Sequence, residues 1–177
     1  MASWIDPVFD RTILDVEYLK QNLRDSAGYE INVYFRTSDE QYFLDSGERR
    51  IRLLSVTSDH KGAYNASDMN RVNNDLLFLQ EYLRKLGVSV ELRFASRIWQ
   101  MEDIPTRPEF EGYLSDVDVI RNAIVQSDDT PATPDLYYFD YARANDIEKI
   151  LYDTYTSLKS TESSTYYSGD IYAGEVI

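Results

Sequence analysis

A chain of 177 residues with 31 acidic against 18 basic side chains carries a net charge of −13 and has a pI near 4.4. Its length suits one domain, or two very small ones, and its 43% apolar and 14% aromatic content is enough to fill a core. Such acidity repels phosphate backbones and anionic lipid headgroups, and the absence of cysteine excludes disulfides, thiol chemistry and cysteine-held metals.

No apolar run reaches bilayer-spanning length, and "MASWIDPVFDR" lacks a basic region followed by an apolar stretch, so synthesis and folding in a cytoplasm are expected. The first helix is expected from Asp10 as N-cap through "RTILDVEYLKQNLRDSAG". Ile13, Val16, Leu19 or Lys20, and Leu23 stand at helical spacing, and Gly28 is the stop. The runs "EINVYFR", "EQYFLDS" and "RIRLLSV", divided by "TSDE" and "DSGE", read as a small antiparallel meander, a strand-rich insert near 29–57. The basic cluster Glu48-Arg49-Arg50-Ile51-Arg52 reads as a solvated strand face.

The second helix has an uninterrupted seam: Met69, Val72, Leu76, Leu79, Leu83 and Leu86 are spaced 3, 4, 3, 4, 3. Ser67 is the expected N-cap, Asn65 closes the preceding turn, and Gly87 ends the helix. "VSVELRF" then alternates as a strand, with Val88, Val90, Leu92 and Phe94 on one face. A third helix starts at Thr106 with Pro108 in its first turn, and Phe110, Tyr113, Val117, Ile120 and Ile124 form its seam. "VQSDDTPATP" is a polar loop. A fourth helix is expected from Thr133-Pro134 to about Ser157, with Ile147, Leu151, Thr154 and Leu158 on one face. Beyond it, "KSTESSTYYSGDIYAGEVI" reads as a Ser/Thr linker leading into an extended tail.

The expected fold is therefore α+β: a bundle of three to four helices with a short antiparallel strand insert and an extended C-terminal tail. Its parts are a helical domain with the insert over 1–126, a polar loop and helix over 127–160, and a tail over 161–177.

Catalytic signals are thin. The single histidine, His60, lies in "TSDHKG" beside Ser58 and Asp59, but neighbours on an extended turn point apart and do not make a triad. Asp116 and Asp118 flank Val117 on different helical faces. Asp128-Asp129 lack the spacing of a calcium loop, and Glu102-Asp103 decorate the approach to the third helix. No glycine-rich phosphate loop occurs. No catalytic residue, metal site or cofactor is assigned. The fifteen tyrosines are the remaining feature. Tyr166, Tyr167, Ile171, Tyr172, Val176 and Ile177 would be a liability if exposed on a monomer, so the tail reads as a strand added to a neighbour's sheet.

Three stretches in order, "WIDPVFDRTILDV", "KGAYNASDMNRVNNDLLFL" and "WQMEDIPTRPEFEGYLSDVDVIRNAI", resemble modules in structural proteins of tailed bacteriophages and prophages, associated with hosts having Gram-positive walls. In such tail, baseplate or fibre modules, a W…DRT…DV segment leads to K-G-x-x-N-x-x-D-x-N-R-V, then W-x-x-x-D-I-P-T and a Y-L-x-x-V helix. The likeness covers residues 4–26 and 61–124; the insert near 29–57 and the C-terminal third depart from it. It implies a fold signature of Trp4, Asn65, Ser67, Asp68, Asn70, Arg71, Trp99, Asp103 and Pro105. Within it Asp68 pairs with Arg71, Asn65 and Ser67 satisfy backbone donors, and the two tryptophans anchor the helices. It also implies a non-enzymatic virion component of the tail or baseplate, assembling with other phage structural proteins in a symmetric oligomer. The alternative is a module binding host wall carbohydrate through tyrosine and tryptophan faces. A wall hydrolase would need an acid pair or metal triad that the sequence does not display.

Overall fold

A computed structural model describes residues 2–22, 33–35, 42–44, 64–100, 103, 105–137 and 139–170. Among them are four helices: α1 (Ile13–Asn22), α2 (Ala66–Lys85), α3 (Arg107–Asn122) and α4 (Tyr141–Asp170). Helices α2, α3 and α4 pack pairwise around one apolar core. That core is built from the expected seams. Met69, Val72, Leu76, Leu79 and Leu83 of α2 meet Phe110, Tyr113, Val117 and Ile120 of α3 and Ile147, Leu151 and Leu158 of α4, all buried. Each sits where a 3.6-residue period returns the chain to the same face. Leu86 falls past the last helical turn and is exposed. None of these helices is long and apolar enough to cross a membrane.

The helix ends follow from capping chemistry. α1 begins at Thr12 rather than Asp10, because Asp15 reaches back to the Thr12 N–H and hydroxyl, both at 2.7 Å. α2 is capped by Asn65, two residues earlier than the expected Ser67. Asn65 Oδ1 accepts the Ser67 N–H at 2.8 Å, and Asp68 Oδ2 accepts the Asn65 N–H at 3.0 Å. Gly87 ends α2 at φ +84°, which lets the Val88 N–H reach Leu83 O and the Gly87 N–H reach Arg84 O. Thr106 and Glu109 make the reciprocal cap of α3, with Pro108 in the first turn as expected.

The α+β expectation is corrected: the protein is helical, and no sheet layer belongs to its described core. The strand insert expected near 29–57 is not seen as such. Of that stretch only two three-residue segments are described, Val33–Phe35 and Tyr42–Leu44, paired antiparallel. A ladder of that size is far below what stands as a layer of its own. "VSVELRF" is not a strand either. Val88, Val90 and Leu92 do turn toward the core, but side chains take the place of a partner strand. Asp116 accepts the N–H groups of Arg93, Phe94 and Ala95 at 2.7–3.2 Å, and Gln80 donates to Val90 O at 3.0 Å.

The fourth helix starts later and ends later than its sequence suggests. The Thr133 hydroxyl is spent on Asp118 (2.9 Å), Arg121 holds Pro131 O (2.7 Å), and Asp140 caps the helix through the Arg143 N–H. At the other end α4 runs through Asp170, so residues 161–170 are helix and not extended tail. The Ser/Thr run does not break it, because Thr161 and Ser163 return their hydroxyls to the carbonyls of Ser157 and Lys159 four residues back.

Gly112 on α3 lies under the Phe94 ring, where a Cβ would overlap ring carbons. Alanine improves helix propensity by about 0.5–1 kcal/mol, but overpacking costs about 1–3 kcal/mol. Gly112→Ala should therefore lower the urea midpoint. In a Phe94→Ala background the same change should raise it, and additivity of the two substitutions would contradict the packing account.

Candidate functional site

The densest chemistry in the described residues is a cluster of four charges, three of them buried (Arg11, Asp68 and Glu148) and one half-buried (Arg71). Three separate parts of the chain supply it. Residues 3–11 form an irregular strap crossing α2 and α4; Asp68 and Arg71 stand one turn apart at the start of α2; Glu148 stands on α4, beside the seam residues Ile147 and Leu151.

The geometry leaves neither carboxylate short of partners. Glu148 Oε1 accepts from Arg11 Nη2 at 2.8 Å and Arg71 Nη2 at 2.6 Å, while Oε2 accepts from Arg71 Nε at 3.0 Å and from the Val8 N–H. Asp68 Oδ1 takes the same two guanidinium groups at 2.8 and 2.6 Å, and its Oδ2 holds the Asn65 cap. Arg11 also donates to Val8 O, and its own backbone N–H and C=O are bracketed by the Asn145 amide at 3.1 and 2.8 Å. Burial alone would lower the Arg71 pKa, but its hydrogen bond to Glu148 and the charges of Glu148 and Asp68 outweigh that and push it up. The cluster is neutral as a whole.

Around it the asparagines of α2 hold backbone. The Asn70 amide makes both hydrogen bonds to Trp99, donating to its C=O and accepting its N–H, each at 2.8 Å. Asn73 donates to Arg97 O at 2.7 Å, and Asn74 to Ser3 O at 2.6 Å. Trp99 is thereby fixed in the core with the Arg97 guanidinium 3.8 Å above its ring. Trp4 stacks on Tyr155 of α4 at 4.0 Å between centroids and leans on Phe78 of α2. Each tryptophan thus ties an irregular segment to the bundle. Tyr64 lies under Arg11 and bonds its hydroxyl to that of Tyr113; burial pushes both phenols well above the ordinary tyrosine range.

The signature residues are therefore largely brought together: Asn65, Ser67, Asp68, Asn70 and Arg71 at the start of α2, Trp4 and Trp99 against its flanks. Asp103 closes a separate turn with Gln100 (2.9 Å), and Pro105, half-buried, precedes the α3 cap. Tyr166 and Tyr167 fall on helical turns of α4, which is incompatible with strand addition at those positions. Ile171, Tyr172, Val176, Ile177, His60 and the basic cluster at 48–52 lie outside the described residues. Asp116 is buried on α3 and Asp118 is exposed, on different faces as expected. No group of His, Cys, Asp or Glu arranged to hold a metal ion occurs among the described residues.

Arg11 and Glu148 were not singled out by sequence reasoning. Glu148 carried a readable signal, since it shares the buried face of Ile147 and Leu151. Arg11 carried only its place in "DRT".

Comparison with protein-family models, with curated proteins and with solved structures finds no match to this chain.

Removing one partner of a buried charge group strands the others at a cost of about 3–5 kcal/mol. Glu148→Gln, which leaves two arginines facing one carboxylate, should destabilise by that order in urea titration. Asp68→Asn, at a slightly more accessible position, should cost less. The reverse order would show that Glu148 is not the centre of the cluster.

Proposed function

We propose that this chain is a non-enzymatic virion protein of a tailed phage, associated with the tail or baseplate, whose work is assembly with other phage structural proteins. The reading rests on the ordered likeness to phage structural modules. Its main support is what the residues of that likeness do. Asn65, Asp68, Asn70, Arg71, Trp4 and Trp99 all make hydrogen bonds or ring contacts inside the molecule. A pattern whose residues hold a frame together suits a protein that acts through its shape. The net charge of −13 would steer docking toward basic neighbours in a particle.

Quantitative mass spectrometry of purified particles from the source phage or induced lysogen tests this, with peptides counted against a major tail protein of known copy number. A small fixed ratio, a multiple of three or six, is the expected result. Abundance in the lysate together with absence from particles would refute the virion reading.

A further inference from the structure

The N-terminal strap is held mainly by side chains of α2 and α4 that grip its backbone: Asn74 at Ser3 O, Asp75 at the Ile5 N–H (3.0 Å), Glu148 at the Val8 N–H and Asn145 at Arg11. Two of these gripping groups are carboxylates in very different surroundings. Glu148 is neutralised by two arginines. Asp75 is fully buried, and its Oδ1 accepts the Ile5 N–H and the Asn74 amide, while its Oδ2 has no hydrogen-bond partner among the described residues.

Two charges of opposite sign face Asp75: Glu148 of α4 repels and Arg71 of α2 attracts, while the strap brings to it the Ile5 amide. Asp6, next to Ile5 in the strap, is exposed and accepts the Trp4 indole N–H. A carboxylate with one orphaned oxygen, roofed by a strap that offers a single amide, is a poor place for a charge and a tolerable one for a neutral acid.

We propose that the strap is a proton-linked latch: docking of residues 3–11 over Asp75 takes up one proton at that carboxyl, so the strap is held more tightly in mild acid than in mild base. Burial, with a smaller push from Glu148, raises Asp75 to about 7 when the strap is down, against the opposing hydrogen bonds of Ile5 and Asn74. Lifting the strap returns water to the carboxyl and restores an ordinary aspartate. The closed form therefore binds the proton more tightly. Closure is favoured below the ordinary aspartate value and loses its advantage as pH rises through the raised one, by roughly tenfold per pH unit in between. An opened strap withdraws Trp4 from Tyr155 and uncovers an aromatic face that includes Phe78 and Tyr82. The latch stands apart from the virion reading, since it concerns the isolated chain in solution.

The test is amide exchange by NMR, expressed as protection factors so that the intrinsic pH dependence of exchange is removed. The Ile5 and Val8 amides are followed from about pH 5.5 to about pH 7, with the Leu151 amide of α4 as reference. In the wild-type chain the strap amides should lose protection by roughly tenfold per pH unit while Leu151 does not. Asp75→Asn should abolish that slope. Equal slopes in both chains, or no slope in the wild type, would overturn the latch. If the Asn variant does not fold, carboxyl 13C titration of Asp75 decides. A midpoint well above the ordinary range that falls in Trp4→Ala supports the proposal, and an ordinary midpoint in the wild type overturns it.

Discussion

Two guanidinium groups and two carboxylates are taken out of water where the strap, α2 and α4 meet, each at a desolvation cost of several kcal/mol. The arrangement is tolerable only when it is complete, because any charge arriving without its counterparts is buried and uncompensated. Arg11 lies 57 residues from Asp68 and 137 from Glu148, so charge neutrality ties together the most distant parts of the described chain. Once Arg11 is seated, Val8 is fixed by Glu148, and the strap carries Trp4 onto Tyr155. The asparagine-rich start of α2 is then accounted for: its polar side chains supply the cap, half of the charge cluster and the grips on two irregular segments.

The apolar seams were legible because helical periodicity survives in any buried helix, and every seam residue assigned to α2, α3 and α4 is buried or half-buried apart from Leu86. The start of α3 was legible at Thr106 and that of α2 to within two residues, since Asn, Ser and Thr advertise caps. What failed was what depends on partners distant in sequence. "VSVELRF" has a strand's alternation, but Asp116, 21 to 23 residues away, supplies the acceptors a neighbouring strand would have supplied. The run "STESST" looks like a linker by composition, yet hydroxyls that bond back to the fourth preceding carbonyl are compatible with helix. Arg11 was hidden for a different reason: an arginine in an acidic chain is assumed to be solvated, and only three-dimensional convergence shows that it is not.

The fold signature and the proposed role fit together through a division of labour. Chemistry-bearing residues at the start of α2 are turned inward and engaged, which leaves the acidic exterior as the surface available for contact. In an assembly protein the frame must hold its shape while neighbours press on it, and a neutral charge cluster whose carboxylate oxygens are all engaged resists shear because small displacements expose unpaired charge. Beneath the strap, Asp75 of α2 is a buried carboxyl of that frame with one oxygen left unbonded among the described residues.

The segment from Val88 to Trp99 has a consequence for solubility at high local concentration. Extended backbone with an alternating apolar face is a template on which another chain can grow a sheet, and proteins commonly protect such edges with charge or proline. Here the protection is done by amides and a carboxylate. Val90, Arg97 and Trp99 have carbonyls filled by Gln80, Asn73 and Asn70, and the amides of Arg93, Phe94, Ala95 and Trp99 are filled by Asp116 and Asn70. Each of those groups is closed to cross-chain pairing, which shortens the ladder that another copy of the protein could build on this stretch.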